Sequence, residues 1–173
     1  GPPTQDVEAY SHFLQGVALV NSNNDRSLQK AIASMEAAIA RDPGFARAWL
    51  AMAVARFLVG GPNAEVDRDA ARAVELDPSL KPTASLLAAG VQSKQGNWVR
   101  AEELIAVVNE SQRPLEFPGF GSALTTWWPM GRQAKVLAAH QENLRRAPAS
   151  AAAALLVAQS HSGRGENELA RKY

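Results

Sequence analysis

Apolar residues fall along this chain at the three- and four-residue steps that put them on one side of a helix. Over 6–22 the apolar face is Val7, Tyr10, Phe13, Leu14, Val17 and Leu19, and over 26–41 it is Leu28, Ile32, Met35 and Ile39. The same period predicts helices over 45–59, 63–76, 80–95 and 97–111. Further on it predicts a short helix near 120–128, a longer one over 132–146, another over 150–162 and an incomplete one from Glu166 to Tyr173. The intervals are turn-formers: Asn21-Ser22-Asn23-Asn24-Asp25, Gly60-Gly61-Pro62-Asn63, Gln95-Gly96-Asn97 and Gly163-Arg164-Gly165. Short polar side chains there compete for backbone hydrogen bonds, and glycine and proline stop helices.

Every second helix is closed by a proline. Pro43, Pro78, Pro114 and Pro148 are separated by 35, 36 and 34 residues. A helix-stopping proline at a period of about 34 residues marks a stacked helix–turn–helix array. The fold class is therefore all-α, a solenoid of about four and a half repeats. Its units are about 6–43, 44–78, 79–114, 115–148 and an incomplete 149–173. The fourth unit is irregular, because Pro114, Pro118 and Gly119-Phe120-Gly121 shorten its first helix. Residues 1–5 begin with Gly1-Pro2, which reads as the remnant of a cleaved tag, and the chain is expected to be a fragment of a longer protein.

The pattern resembles the tetratricopeptide repeat family over nearly the whole chain. The second unit carries Trp49, Ala53, Ala73 and Pro78, and the first carries Gly16, Ala31, Met35, Ala38 and Pro43. The third has Leu87, Ala88, Gly96, Trp98 and Ala101. The fourth has Phe120, Leu124, Gly131 and Pro148; the fifth has Ala154, Ala158, Gly165 and Ala170. Departures are the long first turn at Asn21 to Ser27 and the asparagines Asn109 and Asn143 where the family has alanine. Ala9 to Pro43 and Gly131 to Pro148 are also similar to repeats attached to bacterial signalling proteins, such as adenylate cyclases and winged-helix regulators.

The resemblance implies a right-handed superhelix whose first helices line a concave groove. By register, the groove positions are Tyr10, Phe13 and Val17 in the first unit, and Arg47, Leu50, Val54 and Phe57 in the second. Gln92 follows in the third, Thr125 and Trp128 in the fourth, and Gln159 in the fifth. What it implies is a non-catalytic module that takes a peptide or helix of a partner protein, anchored by Phe13, Leu50, Phe57 and Trp128. Phe13, Leu50 and Phe57 could equally be buried by neighbouring helices. Phe13 and Val17 stand where members that grip a peptide carboxylate use lysine and asparagine, so that mode is not expected. A regulatory domain of a bacterial signalling protein is an alternative. So is an oligomerisation scaffold, with the open C-terminal unit stacking on a second copy.

Composition adds exclusions. The net charge of +1 argues against a nucleic-acid partner. Residues 1–130 carry 11 Lys/Arg against 14 Asp/Glu, whereas 131–173 carry 7 against 3, which reads as drift over a solvated surface. With no cysteine, thiolate metal sites and disulfides are impossible. No apolar run reaches 18 residues, so no membrane insertion is expected, and the cytoplasm is expected ahead of the periplasm. His12, His140 and His161 lack ligand spacing, and neither a phosphate loop nor a dinucleotide loop occurs. Glu102-Glu103 and Asp67-Arg68-Asp69 read as solvated faces, and Arg145-Arg146 as the basic end of a helix. No enzyme activity and no cofactor are expected. Trp127-Trp128-Pro129 is the most unusual local feature, its two rings pointing about 100° apart on a helix.

Overall fold

The computed structural model describes residues 4–21, 25–110, 137–138, 141–142, 144–145, 148, 151–163 and 165–173. Thr125 and Trp128, with the whole segment from Pro114 to Pro129, lie outside the described residues. All regular elements among the described residues are helices, and the chain divides into two compact units, Gly1–Gly121 and Ser122–Tyr173. The first holds three helix pairs: α1 (Val7–Asn21) with α2 (Asp25–Arg41), α3 (Ala46–Leu58) with α4 (Asn63–Leu76), and α5 (Lys81–Lys94) with α6 (Trp98–Glu110). The second holds α7 (Ala151–Gly163) and α8 (Asn167–Ala170). For these helices the bounds lie near those expected, except that a 3-10 turn, Pro78–Leu80, precedes α5 and the last helix ends at Ala170. The helix expected near 120–128 lies outside the described residues, and so does most of the one expected over 132–146. The protein is an all-α helical-repeat array.

Two turn designs recur. The first joins the helices within a pair. At Gly60, Gly96 and Gly165 the backbone adopts φ near +78°, a region in which side chains collide with the following carbonyl. At each site the glycine N–H donates to the carbonyl three residues back, and the next N–H to the one five back. These bonds are Gly60 to Phe57 (3.2 Å) and Gly61 to Arg56 (2.8 Å), then Gly96 to Ser93 (3.0 Å) and Asn97 to Gln92 (2.9 Å). Gly165 to Ser162 and Glu166 to His161, both 2.9 Å, complete the set. This is the Schellman arrangement, which satisfies helix-end carbonyls that would otherwise be orphaned.

The second design joins one pair to the next. Asp42 and Asp77 end their helices by donating N–H to Ala38 and Ala73 (3.0 and 2.9 Å). Each aspartate then turns its carboxylate onto the N–H two residues on, at Gly44 and Ser79 (both 2.9 Å). The proline between cannot donate, so nothing competes with that turn. Phe45 and Leu80, 35 residues apart like the aspartates, drop from these turns into the core.

α3 sits between two apolar clusters. Phe45, Ala48, Ala51 and Met52 pack with Ala9, Phe13, Met35 and Ala38 of α1 and α2. Leu50, Val54 and Phe57 pack with Val66, Ala70 and Ala73 of α4 and with Ala84, Leu87 and Val91 of α5. Each buried large aliphatic or aromatic residue contributes about 1.5–3 kcal/mol. Glycine sets the closest approaches. A Cβ on Gly16 would lie 2.5 Å from the Met35 methyl, and one on Gly90 would lie 2.8 Å from the Phe57 ring.

One sequence expectation is corrected. Asp67-Arg68-Asp69 is not wholly a solvated face, because Asp69 is fully buried (0% exposed) while Asp67 and Arg68 are not. Asp69 falls on the same side of α4 as Val66, Ala70 and Ala73, and its charge is met there by arginine.

Candidate functional site

The helices that open each pair were expected to offer their side chains to a groove, but the structure divides those positions. Leu50 is 0% and Val54 1% exposed, and Phe13 and Phe57 are nearly as buried. These four are core side chains here and are unavailable as contact residues. The cause is the enclosure of α3: its groove positions meet α5 instead of solvent, and Phe57 lies on the bare backbone at Gly90. Lys94 seals that contact, its Nζ 3.9 Å from the centre of the Phe57 ring and 3.1 Å from the Phe57 carbonyl. Phe13 is likewise occupied, its ring 4.9 Å from that of Phe45.

The remaining positions keep accessible surface. Tyr10 is 40% exposed and stacks on Phe13 at 6.2 Å. Val17 and Arg47 are half-buried. Gln92 is half-buried too, and its side-chain carbonyl oxygen accepts from the Asn97 amide at 2.9 Å, which ties it into the turn before α6. Gln159 is exposed on α7 in the second unit.

Sequence reasoning did not separate out the side of α1 that stays uncovered. Ala9, Phe13 and Gly16 take the buried side. Val7 (82% exposed), Tyr10 and Leu14 (49%) follow one another at steps of three and four and continue to the half-buried Val17. They form one apolar strip along the helix beside polar Glu8, Ser11 and Gln15. The signal was present: the apolar positions of α1 span a wider arc than one neighbouring helix can cover. The start of the strip is held firmly. Asp6 caps α1, its Oδ1 accepting from Ala9 N–H at 2.8 Å, and Arg41 Nε binds the same carboxylate at 3.1 Å. This arginine and the Ala9 N–H hold the Asp6 carboxyl below its ordinary value of 3.8. Thr4 adds a 2.6 Å hydrogen bond to Asp42 at the far end of α2.

Two smaller features stand apart. In the second unit the buried His161 has Nδ1 2.7 Å from the Glu166 carboxylate, and its ring stacks on Tyr173 at 5.9 Å. Leu155, Leu169 and Tyr173 are exposed in that unit. In the first unit Gln92, Asn97, Trp98, Val99, Arg100 and Glu103 line an open depression beside the start of α6, where Arg100 pairs with Glu103 at 2.8 Å. Among the described residues no group of three His, Asp or Glu is placed to hold a metal ion, and no helix is long and apolar enough to cross a membrane.

Compared with known proteins, no family model matches the chain, and no curated protein matches it. Among solved structures it is similar to the crystal structure of MamA protein, at 17% identity and a TM-score of 0.45. That match covers 96% of this chain and 87% of the other.

Proposed function

We propose that this protein is a non-catalytic protein-interaction module, and that the apolar strip Val7, Tyr10, Leu14 and Val17 on α1 is its contact face. The observation that carries this reading is the exposure of Tyr10 and Leu14 on a well-anchored helix. Apolar side chains lined up on one helix face suit an amphipathic helix from a partner, which contributes its own residues at steps of three and four. Tyrosine is well adapted to such a role, since its ring adds contact area and its hydroxyl keeps a polar partner. The helical-repeat fold supports a scaffold with no reaction of its own.

The test is a map of contacts made with a photo-crosslinking residue in cells. Placed at Leu14 it should give a discrete protein adduct, and placed at Glu75, exposed on α4, it should give none. Adducts from Glu75 with none from Leu14 would move the contact to the second helices and overturn the reading.

A second reading rests on the exposed Leu155, Leu169 and Tyr173 of the second unit, which suit association of two copies. It requires a molecular mass that rises with protein concentration and falls back in Leu155→Glu/Leu169→Glu.

A further inference from the structure

Arg56 interrupts an otherwise apolar stretch of α3, Ala53-Val54-Ala55-Arg56-Phe57-Leu58. Its side chain is 14% exposed, and its guanidinium meets three carboxylates on two other helices. Glu36 of α2 lies 3.1 Å away, Glu65 of α4 forms an ion pair with it, and Asp69 of α4 lies 3.3 Å from its Nε. The other Asp69 oxygen accepts from Arg68, at 2.9 Å from Nε and 2.8 Å from Nη2. One guanidinium thus joins the second helix of the first pair to both helices of the next.

The geometry of this cluster is poor for stability. Arg56 Nε and Asp69 Oδ2 face each other as an ion pair, yet neither buried atom makes an aligned hydrogen bond. A pair taken out of water in that way recovers little beyond its desolvation cost, and apolar replacements of similar volume are often neutral or stabilising. The surroundings, however, specify orientation weakly. Ala38, Ala48, Ala51, Ala53, Ala55, Ala70 and Ala73 are interspersed with the larger buried side chains of α2, α3 and α4. Alanine makes shallow ridges, so packing alone selects a crossing angle loosely. Glu36 is the carboxylate that reaches Arg56 from the first pair. A rotation of one pair against the other therefore parts them and leaves the mostly buried guanidinium with the carboxylates of α4 alone, which is disfavoured.

We infer that Arg56, with Glu36, Glu65 and Asp69, is an electrostatic clamp that fixes the angle between the first and second helix pairs, contributing conformational definition and not net stability. It acts on the fold itself and does not depend on the partner face proposed for α1.

The chain has no cysteine, so spin labels at Ala33→Cys on α2 and Ala71→Cys on α4 report one distance. The parent should show a single narrow distribution. Arg56→Met/Asp69→Leu removes both buried charges and leaves Glu36, Glu65 and Arg68 with solvent access. It should melt no lower than the parent while its distribution broadens or splits. Arg56→Met alone leaves the buried Asp69 with Arg68 as its remaining charge partner and should lower the melting midpoint by about 5 °C. Glu36→Gln/Glu65→Gln, which strands no buried charge, should fold normally and widen the distribution. An unchanged width in either double variant, or a loss of folding in Arg56→Met/Asp69→Leu, would overturn the clamp.

Discussion

Gly90 and Gly16 occupy comparable places on their helices and predict opposite responses to one methyl group. A Cβ at Gly90 meets the Phe57 ring, which is held by α3, α5 and Lys94 and has nowhere to move. Overpacking of that kind costs about 1–3 kcal/mol, more than the roughly 1 kcal/mol gained by replacing a helical glycine. Gly90→Ala should therefore lower stability in chemical denaturation. At Gly16 the nearest atom is the end of the flexible Met35 side chain, so Gly16→Ala should be neutral or stabilising. Asp6 adds a pH response. Arg41 and the Ala9 N–H depress its folded pKa, so its contribution is present above the ordinary value of 3.8 and fades as pH falls through the lower folded value. Amides in the first turn of α1 should lose exchange protection over that acid range. Asp6→Asn, which keeps a capping oxygen, should show no such step.

At the scale of elements, the helix bounds were legible because each end is written in local chemistry. Aspartate before proline forms the same turn at Asp42 and Asp77, and glycine in the left-handed region closes the first helix at Gly60, Gly96 and Gly165. Gly60→Ala and Gly96→Ala should each cost about 1–2 kcal/mol, because alanine collides with its own carbonyl at positive φ. A Cβ added at Gly60 or Gly96 would meet only open space, so the loss reports backbone strain alone and should match at the two sites within error. The candidate face was less legible, and α3 shows why. A period of 3.6 says which residues share a side but not how many neighbours that side meets. Leu50, Val54 and Phe57 look identical in pattern to an exposed groove, and it is packing against both α4 and α5, closest where Phe57 meets Gly90, that buries them. Asp69 was misplaced for a related reason: its Arg56 partner lies on another helix, and no spacing within α4 announces it.

For the molecule as a whole, repetition supplies the architecture and departures from it supply the surface. The interiors of the first three pairs are built from alanine, glycine and a few large residues, as close stacking requires. α1 breaks that economy by keeping Val7, Tyr10 and Leu14 in solvent on a helix whose start is capped and ion-paired. An apolar strip on a rigid support is suited to binding, since little conformational entropy is lost when a partner arrives. The central claim is that this strip is the contact face. Its most direct test is a titration of the partner segment captured at Leu14 against the parent and Tyr10→Glu/Leu14→Glu, with helical content checked by circular dichroism. Both side chains are exposed, so the variant should fold as the parent does and bind at least about tenfold more weakly, matching the loss of one or two anchor residues. Equal affinity in the two proteins would contradict the account and place the contact elsewhere.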